Sequence, residues 1–422
     1  MKVVKIVNVG PIKQISIDLN KVNIFIGPQG SGKSTIAKII SYCSWVEKNV
    51  SIHQSLEEYK TDPKFFESRL ISFHKLHGYF NEKSEIYYSS DIIDIHYKYS
   101  SFNIDWKSKH LYKRQKISYI PSERNLVILP EIEKVEFPHN NLRSFLFDWL
   151  DSRKKFNIDN CLNILDLDFA YYFNDSNKEN HILSKAKESD IQLSEASSGL
   201  QSLIPLLTTI EYITNIFYQG GSTSFELDEI RRATSRKLLY EFIVNKIYPD
   251  KHYSGSLTDE EVEAVNKEID EPNEEIQKGI SQYHMIMDNL FKTSSSNLII
   301  EEPEQNLFPA TQKTFVYNLI NKIINPSYEH TLTLTTHSPY VLYAINNCIM
   351  YSLVKEKLSE AENAVILCAQ SALRPEQVSI YEITDGVLNK IQGKDGLIEE
   401  NFFDSIMNGL MEGFYTMLNH YD

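Results

Sequence analysis

Gly27-Pro-Gln-Gly-Ser-Gly-Lys-Ser34 constrains this chain more than any other stretch. It fills the pattern G-x-x-x-x-G-K-[ST] completely. Residues 21–26, just before it, alternate and are rich in β-branched side chains, which predicts a buried strand. Residues 35–46, just after it, carry apolar side chains at helical spacing. A strand, a glycine loop and a helix N-terminus direct backbone N–H groups and the positive end of a helix dipole at one point, where phosphates can sit. Gly30 and Gly32 let the backbone approach without a Cβ in the way. Gly27, Pro28, Gln29, Gly30, Ser31, Gly32, Lys33, Ser34 and Thr35 are therefore the candidate phosphate cradle. Lys33 is expected to reach the β- and γ-phosphates and Ser34 to ligate Mg²⁺. A plain turn before a helix would need neither the lysine nor the hydroxyl.

A chain of 422 residues can bury a large core, as one domain with insertions or as two or three smaller ones. No apolar run reaches about 18 residues, so no membrane helix is expected. The N-terminus reads as a short strand without a signal peptide's apolar segment. Cys43, Cys161, Cys348 and Cys368 lie far apart, without metal-ligand spacing, which fits free thiols in a reducing cytoplasm. Net charge is −14, the opposite of a general DNA coat, though a local basic groove is compatible with it. The run from Trp106 to Lys116 mixes basic and aromatic residues. It reads as an edge strand blunted by lysines, or more weakly as a track for a phosphate backbone.

The order of elements predicted along the chain is strand, turn, strand, strand, glycine loop and helix up to residue 48. Residues 51–83 read as helical and 85–106 as an antiparallel hairpin or meander. A strand follows at 116–120, a helix at 142–156, two strands at 181–196 and a long apolar helix at 203–218. Residues 222–290 are polar, acidic and mostly helical, with loop signals at Pro249-Asp, Ser254-Gly-Ser and Glu271-Pro-Asn. The expected organisation is a discontinuous core of 1–48, 116–221 and 294–422. It is interrupted by a helical and β insertion at 49–115 and by a helical insertion at 222–293 that mediates assembly or partner contact.

Three further motifs bear on chemistry. In Leu298-Ile-Ile-Glu-Glu-Pro-Glu, an apolar strand ends in two carboxylates and a proline. Beside a phosphate loop, Glu301 can face a metal shell while Glu302 faces the attacking water, because alternation sends neighbours different ways. Alone, the same residues could be a buried strand with a solvated acidic turn. Thr331-Leu-Thr-Leu-Thr-Thr-His-Ser-Pro339 places His337 at a strand end, able to hydrogen-bond a γ-phosphate or to act as a structural donor. Ser197, Ser198 and Gly199, with Gln201, open a helix and form either an anion site or an ordinary N-cap.

In this order the motifs resemble those of ATP-binding-cassette (ABC) ATPases, closer to the SMC-like and OLD-like group than to transporter subunits. The phrases around Glu301–Pro309 and Thr331–Pro339 are similar to those of OLD-like, AAA-labelled ATPases of bacterial phage-defence systems. The resemblance covers about half the chain. It implies an α/β P-loop NTPase of ABC-head type: a mixed-sheet core, an antiparallel β lobe and helical insertions. It implies ATP and Mg²⁺ as ligands, with Lys33, Glu302 and His337 in catalysis and Ser34 and Glu301 on the metal. Ser197, Ser198, Gly199 and Gln201 correspond to the family's signature, which contacts the nucleotide of a second copy. The partners implied are a second copy of the chain and an effector protein in trans; nucleic acid is weakly supported and a membrane is not expected. Glu301 stands where aspartate is usual, the signature lies far before the glutamate pair, and the Q-loop has no secure counterpart beyond Ser122-Glu-Arg124. The 85 residues after His337 read as a strand at 364–368, a strand at 378–383, a turn at Asp385-Gly and a helix from Leu397, with no Toprim nuclease domain. An SMC-like DNA-handling ATPase and a transporter ATPase remain the alternative readings.

Overall fold

The computed structural model describes residues 2–99, 101–129, 132, 135–184, 189–219, 225–249 and 258–421. β1 (Lys2–Val9) and β2 (Ile12–Leu19) pair as a hairpin, with Val4 opposite Ile17 and Ile6 opposite Ile15. β3 (Val22–Ile26) runs into the glycine loop and α1 (Lys33–His53). After α2 (Glu57–Thr61) and α3 (Phe65–His74), β4 (Glu85–Ser89), β5 (Ile93–Lys98) and β6 (Ser101–Trp106) form an antiparallel meander. β4 pairs with β1, Ile86 opposite Ile6, so the meander continues the hairpin instead of standing apart. β7 (Gln115–Ile120) and α4 (Asn141–Arg153) follow.

A small antiparallel sheet comes next: β8 (Leu162–Asn163), β9 (Phe169–Asn174), β10 (Glu179–Ser184) and β11 (Ser189–Gln192). The first two of these strands were not anticipated, although the aromatic run in β9 carries a strong strand preference. α5 (Ser198–Thr214) opens at the serine–glycine motif, as expected of those residues, and ends at 214, short of the expected 218. The second polar region holds α6 (Phe225–Leu239), a π-helical turn, α7 (Asn245–Ile247), α8 (Asp259–Asp270) and α9 (Glu274–Phe291). The loop signals Pro249-Asp and Ser254-Gly-Ser fall wholly or partly outside the described residues.

The chain then builds β12 (Ser295–Glu301), α10 (Pro309–Ile323), β13 (Thr331–Thr335) and α11 (Pro339–Val354). Residues 364–368 are not a strand. A capping box between Ser359 and Glu362 starts α12 (Glu360–Val365) there, and local capping outweighs the short apolar run that follows. β14 (Val378–Thr384), the Asp385–Gly386 turn and β15 (Val387–Lys390) match the expectation, and the last helix, α13, spans Phe402–Leu418.

The fold is mixed α/β. Among the described residues the large sheet has eleven strands in the order β6-β5-β4-β1-β2-β15-β14-β3-β13-β12-β7. From β14 to β7 all neighbours are parallel. β3 is buried along its whole length, as a parallel strand covered on both faces should be. Its two-residue period sends Val22, Ile24 and Ile26 into the core shared with α5, α10 and α11, and Phe25 into the core shared with α1. Because these strands run parallel, the ends of β3, β12 and β13 reach one sheet edge, where their loops gather.

The second polar region is tied to this core. Leu238, Ile286 and Leu290 are buried against α1, and Tyr240, Ile243, Val244, Val265 and Ile276 form a small core of their own. Thr234 Oγ1 donates to the carbonyl of Ile52 at 2.7 Å and Lys237 Nζ to that of His53 at 3.1 Å. These two donors satisfy carbonyls that the C-terminus of α1 leaves unpaired.

Candidate functional site

The glycine loop leaves β3 at Gly27, whose φ is +143°. A Cβ there would sit 2.3 Å from the carbonyl oxygen of Ile383 on β14, so the position excludes any larger residue. Gly32 (φ +107°) would meet Ile12 at 2.9 Å. Gly30 (φ +76°) has no atom within 4 Å of such a Cβ, so its need is conformational. Gly32 caps α1 without a side-chain bond, which leaves first-turn N–H groups facing the loop. Lys33, only 4% exposed, folds over this cradle: Nζ donates to the carbonyls of Gly27 (2.9 Å) and Pro28 (2.8 Å) and to Ser31 Oγ (3.4 Å). Burial lowers its pKa to about 8, against the opposing pull of Glu302 and Glu304.

Glu301 ends β12 and is 3% exposed. One carboxylate oxygen accepts from Tyr119 Oη at 2.6 Å and the other from the backbone N–H of Ser122 at 3.2 Å. Glu302 has a φ of +42° and precedes Pro303, an unusual conformation for a non-glycine residue. Its N–H donates to the carbonyl of Thr335 at 2.9 Å, and its half-exposed carboxylate lies 3.6 Å from His337 Nε2. Burial and the charge of Glu301 raise the pKa of Glu302. Burial and Lys33 lower that of His337, which favours a neutral imidazole beside Glu302. The N–H of His337 donates to Glu304 Oε1 at 2.6 Å.

Arg124 holds this turn together. It is fully buried, and its guanidinium donates to the carbonyls of Glu301 (2.9 Å), Glu302 (2.8 Å), Pro303 (3.4 Å) and, across the core, Ser202 on α5 (3.4 Å). Burial lowers its pKa to about 10, while Glu304, Glu302 and Glu301 favour the charge. Sequence reading noted Ser122-Glu-Arg124 only as a linker between lobes; its charge beside a strand end was the available signal. Glu304 was missed altogether.

The structure thus brings Lys33, Glu301, Glu302 and His337 to one edge. Ser197 and Ser198 lie exposed at the start of α5, and no hydrogen bond among the described residues joins them to the glycine loop. Gly199 packs against the turn after Glu302: a Cβ there would come within 2.9 Å of the carbonyl of Asn306. The side chain of Gln201 is engaged locally, Nε2 donating to the carbonyls of Ser194 (2.8 Å) and Ala196 (3.0 Å).

The donor set suits a nucleoside triphosphate with Mg²⁺. Loop N–H groups and an ammonium would suit phosphate, and the Ser34 hydroxyl and Glu301 carboxylate are hard oxygen donors of the kind Mg²⁺ takes. Among the described residues, no three His, Cys, Asp or Glu side chains form a metal cage of their own.

No family model matches this chain, and no curated protein matches it. Among solved structures, the SMC head domain from Thermotoga maritima is similar over 93% of this chain and 98% of its own, at 10% identity and a TM-score of 0.36. The recombination mediator protein RecF covers 92% of this chain and 97% of its own, at 11% identity and TM-score 0.29. An ATP-binding cassette of an ABC transporter in its ADP conformation covers 94% and 93%, at 11% identity and TM-score 0.28. Likenesses this distant do not tell which reaction a chain performs.

Proposed function

We propose that the chain is a Mg²⁺-dependent ATP hydrolase of ABC type. Its heads associate around ATP and act as a switch in bacterial phage defence, controlling an effector supplied in trans. The convergence of the glycine loop, buried Glu301 and half-exposed Glu302 beside His337 on one sheet edge carries the ATPase reading. Loop N–H groups and Lys33 bind and orient the phosphates. Glu302, its pKa raised, accepts the proton of the attacking water, and the neutral His337 imidazole positions that water or the γ-phosphate. Mg²⁺ held by Ser34 and Glu301 would offset charge on the transferring group. Arg124 fixes the turn on which Glu301 and Glu302 depend.

Association with a second copy is supported by the exposure of Ser197 and Ser198 on a helix N-terminus, where they are free to meet another molecule's phosphate. It is supported also by α13, which has no buried residue and exposes Leu410, Phe414, Tyr415 and Met417 by more than half. The defence role rests on the resemblance of the motif phrases alone. Among the described residues, no helix is long and apolar enough to cross a membrane.

The decisive experiment measures phosphate release from ATP with Mg²⁺, together with sedimentation with and without nucleotide. The reading requires turnover and an ATP-favoured dimer. A wild-type chain that binds no ATP would sink it. Loss of protection against phage on deleting the neighbouring genes, with ATPase activity intact, would support the effector in trans.

A further inference from the structure

α1 carries the glycine loop at one end and the wall of a separate cavity at the other. The cavity, of about 810 Å³, lies between α1, α3, β7 and α4. Tyr42, the first aromatic of its wall on α1, is nine residues along from Lys33, about 13 Å by helical rise, so the cavity is not part of the phosphate cradle.

Its lining is unlike the rest of this acidic chain. Lys48, Arg69 and Lys116 line it with a single carboxylate, Glu58. Arg69 pairs with Glu58 at 3.4 Å, and Lys116 with Asp148 at 2.5 Å just behind the wall. Lys48 is left without an ion pair among the described residues, and burial with Arg114 and Lys116 nearby lowers its pKa to about 7. Among the described residues, His74, fully buried in the same wall, has neither ring nitrogen hydrogen-bonded, and the buried hydroxyl of Tyr42 has no partner either. Buried polar groups without partners are costly unless something supplies them. Tyr42, Trp45 and Tyr119 also line it, Tyr42 stacked on Trp45.

A basic side chain without an ion pair, buried polar groups without partners and aromatic residues in one cavity match a phosphate joined to a nucleobase. We infer that this cavity binds a nucleotide unit, either a free mononucleotide or the 5′-phosphorylated end of a strand, as a regulatory ligand distinct from the ATP of the glycine loop. The link to the first site is direct. Tyr119 lines the cavity, its ring lies 5.0 Å from that of His74, and its hydroxyl donates to Glu301. A ligand touching Tyr119 therefore acts on the carboxylate proposed above to hold Mg²⁺; only this coupling rests on that reading.

The test uses the full chain carrying Lys33→Ala, so that binding at the glycine loop is disabled. AMP, inorganic phosphate and a 5′-phosphorylated oligothymidine are titrated, with calorimetry and Trp45 fluorescence as readouts. Binding of AMP or of the oligonucleotide, tighter than phosphate by about tenfold or more, is expected; which of the two binds identifies the source. Lys48→Met should weaken it by about tenfold, and Trp45→Phe should abolish the fluorescence change, both with unchanged melting. A Lys48→Met chain that melts early is replaced by Arg69→Gln, for which the same weakening is expected. No binding of AMP or oligonucleotide, binding no tighter than phosphate, or binding indifferent to these substitutions would overturn the inference. ATP turnover of the wild-type chain, measured separately, tells this failure from that of the ATPase reading.

Discussion

The guanidinium of Arg124 donates to the carbonyl of Glu302 at 2.8 Å and so grips a residue whose φ is +42°. The same side chain reaches Ser202 on α5, which ties the helix of the serine–glycine motif to the turn that carries Glu302. Strained backbone at a site persists only when its surroundings over-determine it, and Arg124 is the main restraint here.

Arg124→Ala should therefore cost roughly 3 kcal/mol of stability, because several buried carbonyls lose their donor. ATP turnover should fall further than ATP binding. Urea unfolding and hydrolysis assays check both; an Arg124→Ala chain with wild-type stability and turnover would remove the clamp from the account.

Glu302→Gln should keep ATP binding and lose turnover by about 10²-fold to 10⁴-fold. A base works only when deprotonated, and the raised pKa of Glu302 moves its acid limb to higher pH than an ordinary carboxylate would give. The wild-type rate should thus decline on acidification from that higher pH, and the residual activity of Glu302→Gln should lack this limb. Equal rates for both chains would show that another group takes the proton.

If Ser198 and Gly199 complete a second copy's site, Lys33→Ala and Ser198→Arg chains should complement each other. Each is expected to be inactive alone, while their mixture should regain one intact composite site per heterodimer. A mixture as inactive as its components argues that α5 serves only its own chain.

The region 222–293 should not behave as a removable insertion. It supplies Leu238, Ile286 and Leu290 to the core around α1 and caps the carbonyls of Ile52 and His53. Deleting it should lower the melting temperature by roughly five to ten degrees, since several kcal/mol of burial are lost, at about 1.5–3 kcal/mol per large apolar side chain. Partner contact is better tested on the exposed acids of α8: replacing Asp259, Glu260 and Glu263 by lysine should spare the fold and weaken assembly or in-cell protection. Unchanged assembly and protection would make α8 a solvated surface.

His330 offers a pH signature of the fold. It is fully buried, accepts from the N–H of Ser296 at 3.1 Å and faces the carbonyl of Thr214 at 3.1 Å, and burial lowers its pKa from 6.5 to about 4. Between those values the unfolded chain binds the proton that the folded one refuses. The stabilisation is therefore complete above about pH 6.5 and lost as the pH falls toward about 4. Against His330→Asn, the wild-type chain should lose more stability between about pH 7.5 and about pH 4.5, measured by urea midpoints; parallel losses would place the titration elsewhere.

Local signals in the sequence determined the strand, glycine loop and helix around Lys33, the strands ending near Glu301 and His337, and the turn at Asp385. Each of these rests on periodicity, glycine or a strand-end carboxylate within a dozen residues. Tertiary structure alone decided that β4 extends the hairpin through β1, that Gly27 is sterically obligatory because of Ile383, and that Arg124 reaches Glu302 across 178 positions of sequence. The physical reason is common to all three. Strand partners, Cβ clearance and the reach of a buried guanidinium depend on which elements pack together, and that is set by the burial of whole faces, which no short window of sequence contains.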